Sequence, residues 1–215
     1  NSKAARHGGV IGIGDYVYGN NKWEFVGLVA DNKDIRFYNN TAGGEYNDVT
    51  MYYLSLNADT GRKISFGGSI EASTLDIGKE QSIFKYYDLN DTYKEDTIDR
   101  VTGGDYYFNN TIAGSKINIF DGAKVHLSSI KQADGTTTYG NVTSWTDDRY
   151  SSSNNYDSYL TNDTNGGLLD TVNNHIDTNT FDKITLNSAL NLELDVDIAN
   201  QTADTFVTKS ASSGT

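Results

Sequence analysis

The sequence predicts an all-β chain of the parallel β-helix (β-solenoid) class, and three observations carry that expectation. Leu190, Leu192, Leu194, Val196 and Ile198 alternate with Asn191, Glu193, Asp195 and Asp197. Side chains of a strand repeat every two residues, so this stretch has one dry and one wet face. The octamer FYNNTAGG at Phe37–Gly44 recurs as YFNNTIAG at Tyr107–Gly114, and recurrence of one short unit is the mark of a stacked architecture. No proline occurs in 215 residues, where about 5% is usual. Proline removes a ladder donor and is excluded from central strands, so a chain that is strand almost throughout has few places for it.

The elements follow in chain order. His7 to Gly19, HGGVIGIGDYVYG, reads as short apolar pieces turned by glycine. Its GxG is not a dinucleotide loop, because no helix follows and no βαβ unit surrounds it. Trp23–Ala30 is a strand. Ile35 and Phe37 form another, then Asn39 to Gly44 turns the chain, and Val49–Leu56 runs extended. Short strands follow at Ile64–Phe66, Leu75–Ile77 and Ile83–Tyr87. Asp88–Asp99, DLNDTYKEDTID, is charged and is expected as a loop. Alternating pairs return at Ile117 and Ile119 and at Val125 and Leu127.

The two Asn-Asn-Thr corners lie 70 residues apart, an interval expected to hold about three turns of a solenoid whose period lies within roughly 20–50 residues. A sandwich would show clean alternation in most strands and Asn-Gly hairpins. Here most strands are short and the corners are Asn-Asn-Thr and Gly-Gly. Each turn would send a few aliphatics inward, and asparagines at aligned corners could form ladders. Three regions result. Residues 1–131 form turns with Asn/Gly corners, 132–180 a polar, Tyr-rich loop or excursion, and 181–215 further turns and a tail. The chain starts without Met and ends in a Ser/Gly tail, so a segment of a longer protein is expected.

Composition removes several function classes. No cysteine is present, so there is no disulfide framework, thiolate metal site or cysteine nucleophile. The formal charge is −12 and the pI about 4.5, which leaves no basic face for phosphates and makes nucleic acid a poor partner. No apolar run reaches the length of a membrane-spanning helix. Cysteine avoidance with an acidic surface fits export through an oxidising periplasm.

Catalytic and metal motifs are weak. Glu193, Asp195 and Asp197 offer hard oxygens to Ca²⁺, but no Gly-x-Asp calcium repeat accompanies them, and a solvated acidic face is the expected reading. Carboxylates so spaced would also suit a glycosidase pair, as would those of any acidic strand. His7, His126 and His175 lack HExxH spacing, and no GxSxG elbow is present. Lys124 and His126 share one side of a strand, which could form the edge of a lyase site; solvent-facing residues are the simpler expectation. Hence no catalytic residue, metal ligand or cofactor site is assigned. The candidate recognition surface is Tyr139, Trp145, Tyr150, Tyr156 and Tyr159, rigid amphipathic rings among Ser, Asn and Asp, the chemistry of a paratope-like loop.

Asn1-Ser-Lys-Ala followed by Gly8-Gly9-Val10-Ile11 resembles the repeats of polymorphic outer-membrane proteins, with Val10 where Ala is more usual. Phe37-Tyr38-Asn39-Asn40 resembles their F-x-x-N tetrapeptide. Tyr107-Phe108-Asn109-Asn110 does too, with Tyr in the first place. Asn47–Ile70 is similar to the segment that follows such repeats in autotransporter passengers, and Ile184–Val207 to their late turns. The resemblance implies a right-handed parallel β-helix, exported by type V secretion and displayed on the outer membrane of a Gram-negative cell or released outside it. A C-terminal translocator barrel would lie beyond Thr215. It also implies a non-catalytic adhesin or display stalk whose partners are glycans or proteins on host or neighbouring cells. The alternative kept open is a carbohydrate-active β-helix: a polysaccharide lyase, a glycosidase or a tailspike-like depolymerase.

Overall fold

Inward-pointing aliphatics and phenylalanines order the chain into stacked parallel strands. The structure, a computed structural model, describes residues 3–4, 11–12, 25–78, 84–87, 93–96, 103–147 and 154–214. These residues are all β, with no helix among them. A twelve-stranded sheet runs through Glu45–Ala58, Ser69–Ile77, Lys116–Ile119, Tyr159–Asn162, Lys183–Leu186 and Ser213–Gly214. A six-stranded sheet holds Ile35–Phe37, Lys63–Phe66, Asp105–Phe108, Lys124–Leu127, Gly167–Asp170 and Leu190–Glu193 in that spatial order. All neighbours in the six-stranded sheet pair parallel.

The chain visits the two sheets in alternation, and each return falls beside the previous strand. Glu45–Ala58 leads to Lys63–Phe66, then Ser69–Ile77. Later Lys116–Ile119 leads to Lys124–Leu127, and Tyr159–Asn162 to Gly167–Asp170. A shorter parallel set completes the round: Ile112–Ala113 beside Val142–Thr143, and Thr178–Phe181 beside Thr205–Thr208.

Register places like beside like on the inner face. One column is Ile35, Ile64, Tyr106, Val125, Leu169 and Leu192. The next is Phe37, Phe66, Phe108 and Leu127. Phe37 and Phe66 stack with centroids 5.1 Å apart, Phe66 and Phe108 at 5.7 Å. The Tyr106 hydroxyl is buried with them and accepts the Ala58 N–H at 2.8 Å. Burial raises the pKa of that hydroxyl.

Four details differ from the sequence expectation. The two octamers stand two strands apart in the six-stranded sheet, with only Lys63–Phe66 between them. Phe84–Tyr87 pairs antiparallel with Tyr93–Asp96, the latter in the stretch expected to be loop. Within 132–180, Tyr159–Asn162 and Gly167–Asp170 are strands of the two large sheets, with Leu160 and Leu169 buried; their few aliphatics suffice because register aligns them with a core already present. Finally, Leu192 is 49% exposed and Ile198 85%. Leu190–Glu193 is an edge of its sheet, so alternation alone does not bury its side chains. The antiparallel pairs other than Thr41–Ala42 with Glu45–Ala58 are hairpins that leave the parallel sheets, at 84–96, 129–139, 145–156 and 196–203.

Side-chain hydrogen bonds to backbone and to other side chains hold the corners. Asn109 Nδ2 donates to Phe66 O at 2.8 Å, and Asn173 Nδ2 to Leu127 O at 3.2 Å. Asn40 Nδ2 donates to Asp48 Oδ1 at 2.7 Å, and Gly68 N to Asp48 Oδ2 at 2.7 Å. Asp48 is fully buried, and loss of solvation raises its pKa above the ordinary 3.8 against those hydrogen bonds. A raised folded pKa adds stability that is fully present below the unfolded value and is lost as pH rises through the folded one. The urea midpoint of the wild type minus that of Asp48→Asn is therefore expected to fall between pH 3.8 and neutrality. A pH-independent difference would show that the Asp48 carboxyl does not titrate differently on folding.

Candidate functional site: a cleft on the outer face of the six-stranded sheet

The same alternation that sends Ile64 and Phe66 inward sends their neighbours out. One outward row reads Arg36, Ser65, Tyr107, His126, Asp170 and Glu193; the other reads Lys63, Asp105, Lys124, Leu168 and Asn191. Parallel register thus gathers residues that are far apart in sequence.

Asp105, Tyr107, His126 and Asp170 form a fixed group. His126 Nε2 lies 2.9 Å from Asp105 Oδ1, and Nδ1 lies 2.8 Å from Asp170 Oδ2. The Tyr107 ring stacks on the imidazole, centroids 4.4 Å apart and planes 10° from parallel. Partial burial, and then the charges of Asp105 and Asp170, raise the Tyr107 pKa. Lys63 Nζ sits 5.6 Å from the centroid of the Tyr107 ring, a cation–π distance.

Beside this group lies a cleft of about 440 Å³ lined by Arg36, Phe37, Tyr38, Lys63, Ser65, Tyr107, Asn109 and Ile130. Tyr38 is half exposed on it. Arg36 Nη2 donates to Asp34 Oδ2 at 2.9 Å, and Asp34 Oδ1 accepts the Lys63 N–H at 3.2 Å. The Arg36 hydrogen bond holds the Asp34 carboxyl below its ordinary range. Ile130 belongs to the hairpin of Ser129–Lys131 with Thr137–Tyr139. That hairpin is tied to the body: Gln132 Nε2 donates to Gly67 O at 2.6 Å, and Ala133 N to Asn39 Oδ1 at 3.0 Å.

A histidine base must offer a free ring nitrogen to the proton it abstracts. Both nitrogens of His126 face carboxylates, so the Lys124–His126 edge considered for a lyase presents a clamped imidazole. The acidic row likewise has local duties. Asp195 Oδ2 accepts the N–H groups of Asn173 and Asn174, both at 2.7 Å, and Asp197 accepts those of Asn200. Asp197 is held below its ordinary pKa by the Asn200 side-chain bond. Among the described residues no group of three or more His, Cys, Asp or Glu side chains is arranged to hold a metal ion.

Of the five aromatic positions expected to recognise a ligand, the side chains of Tyr139 and Tyr159 are among the described residues. Tyr139 stacks on His175 at 4.3 Å, whose Nδ1 lies 2.8 Å from Asp177 Oδ1. Tyr159 sits on the twelve-stranded sheet in register between Lys116 and Lys183. Loss of solvation, then the charge and hydrogen bond of Asp182, raise its pKa. Trp145 and Tyr156 are paired positions of a hairpin, and Tyr150 lies outside the described residues. The sequence reading missed Arg36, Tyr38, Lys63 and Tyr107 as a group. Their signal was the recurring octamer, which contains Tyr38 and Tyr107 and marks strands close in space.

No family model, no curated protein and no solved structure matches the chain.

Proposed function

We propose that the chain is a right-handed parallel β-helix passenger, displayed at a bacterial cell surface or released from it, that acts by binding and not by catalysis. The β-helix reading is supported by the alternation between two parallel sheets with each return one strand further on. Right-handed connection is the rule for parallel strands in one sheet. Binding rests on one observation: a cleft of about 440 Å³ on the outer sheet face, walled by exposed Tyr38, the Tyr107 ring and two cations. Clefts of roughly 300–1,000 Å³ that mix apolar surface with a few placed polar groups are the usual form of ligand sites. The clamped His126 argues against general base work at this face.

Labelled protein applied to cell monolayers tests this reading. Tyr38→Ser, an exposed change that leaves the core intact, is expected to lower bound protein about tenfold, the scale of losing roughly 1.4 kcal/mol of contact. Equal binding by the variant would remove the cleft from the argument. Release of shortened or unsaturated products from a polysaccharide panel would overturn the non-catalytic reading.

A further inference from the structure

We infer that the ligand of this cleft is an acidic saccharide, its carboxylate or sulfate held by Lys63 and Arg36 and a sugar face laid on Tyr38. The inference rests on the binding reading above and narrows it to a chemical class.

Lys63 carries the first part. Its ammonium is held over the Tyr107 ring at 5.6 Å, and no carboxylate among the described residues lies within ion-pair distance of it. Its register neighbour Asp105 is turned to His126, whose Nε2 takes Oδ1 at 2.9 Å. Among the described residues the Lys63 ammonium thus makes no ion pair, and Asp34, which accepts the Lys63 N–H, is bonded to Arg36. Arg36 adds a planar fork of five N–H donors. One terminal nitrogen bonds Asp34, and the side chain is 56% exposed. Arginine forks and lysine point charges are the groups that take carboxylate, sulfate and phosphate.

The second part is apolar and amide chemistry in the same cleft. Tyr38 is half exposed, the Tyr107 ring is held between the His126 imidazole and the Lys63 ammonium, and Ser65 and Asn109 also line the cleft. The C–H face of a sugar ring is apolar and packs on an aromatic plane, while its hydroxyls need hydrogen-bonding neighbours. The overall charge of −12 opposes polyanions at long range. Screening over about 8 Å at physiological salt leaves the decision to the charges inside the cleft.

The test uses titration calorimetry with three oligosaccharides of one backbone: a hexuronate, its carboxyl-reduced neutral counterpart and an O-sulfated neutral counterpart. The proteins are wild type, Lys63→Gln, Arg36→Gln, Tyr38→Ser and, as a control of equal charge change outside the cleft, Lys124→Gln. Wild type is expected to favour an acidic form over the neutral one at least tenfold, and whichever of the two acidic forms binds names the anion. Lys63→Gln and Arg36→Gln should each erase most of that preference, lowering the affinity for the acidic form well beyond any change in that for the neutral one. Tyr38→Ser should weaken all forms together, and Lys124→Gln should leave the preference intact. Equal affinity for neutral and acidic forms overturns the inference, as does a preference that survives both cation variants or falls equally in Lys124→Gln. If no oligosaccharide binds while cell binding still depends on Tyr38, the acidic saccharide is excluded and the cleft remains a binding site.

Discussion

Phe66→Ala is expected to destabilise the fold by about 3–5 kcal/mol, the usual loss when a buried aromatic is cut to a methyl group. Phe66 is fully buried and is the middle ring of three, stacked on Phe37 at 5.1 Å and on Phe108 at 5.7 Å. Its strand is hydrogen-bonded on both sides, to Ile35–Phe37 and to Asp105–Phe108. Strand spacing is therefore fixed by the ladders, and the neighbours cannot close in to fill the space. Total stabilities near 5–15 kcal/mol are usual, so the loss takes a large part of the margin. Leu192 supplies the contrast. It occupies the parallel column, in register with Leu169, but is 49% exposed. Leu192→Ala should cost well under the roughly 2–5 kcal/mol of a buried leucine. Urea unfolding of both variants checks the pair, and a Phe66→Ala loss below about 1 kcal/mol would be inconsistent with a packed ring stack.

Gly140→Ala should destabilise the protein by about 1–3 kcal/mol or more, the range for forcing volume into a filled space, and should also weaken ligand binding. A Cβ built on Gly140 would lie 2.1 Å from Phe108 O and 2.8 Å from the Leu127 backbone. Both obstacles are main chain in the six-stranded sheet, so no rotamer can relieve them. Gly140 N donates to Ser128 O at 2.6 Å at the foot of the hairpin. Making room there moves the hairpin, and with it Ile130 on the cleft wall. Gly135, at the hairpin's tip, has φ of +90° but open space for a Cβ. Gly135→Ala should thus cost only backbone strain of about 1–2 kcal/mol and leave the foot in place. Thermal melts with binding titrations separate the two, and unaltered stability in Gly140→Ala would show that the hairpin foot is not packed this closely.

Particular residues show how far the sequence reaches. The strands at Ile64–Phe66, Ile117–Ile119 and Val125–Leu127 were legible because period-two alternation is local. The missing prolines were legible for the same reason, since every turn had to be made by Gly, Asn or Asp. The spacing of the octamers was not. A residue count does not distinguish turns of the stack from side hairpins, and residues 78–104 sit between two adjacent strands. The dry face of Leu190–Ile198 also outran its evidential value, because burial needs a neighbouring strand and Leu190–Glu193 has one on a single side. The cleft was the least legible feature. Arg36, Lys63 and Tyr107 belong to three neighbouring strands that parallel pairing brings together, and apart from the recurring octamer nothing in their local sequence marks that meeting. Tyr139 and Tyr159 stood out in sequence for being aromatic among polar residues, yet each is engaged by its own neighbours, His175 and Asp182.

Parallel pairing of strands assembles the cleft, so register between neighbouring strands is the most direct thing to measure. The chain has no cysteine, and two introduced thiols can report on each other alone. Thr161 and Thr185 are register partners on the twelve-stranded sheet, and Leu168 and Asn191 on the six-stranded one. Disulfides need Cα atoms about 4.4–6.8 Å apart, the spacing of adjacent strands. Thr161→Cys with Thr185→Cys, and Leu168→Cys with Asn191→Cys, are expected to close under mild oxidation of the folded protein, while Thr161→Cys with Asn191→Cys stays open. Closure of the mixed pair, or failure of both register pairs to close, would contradict the parallel pairing on which the cleft depends.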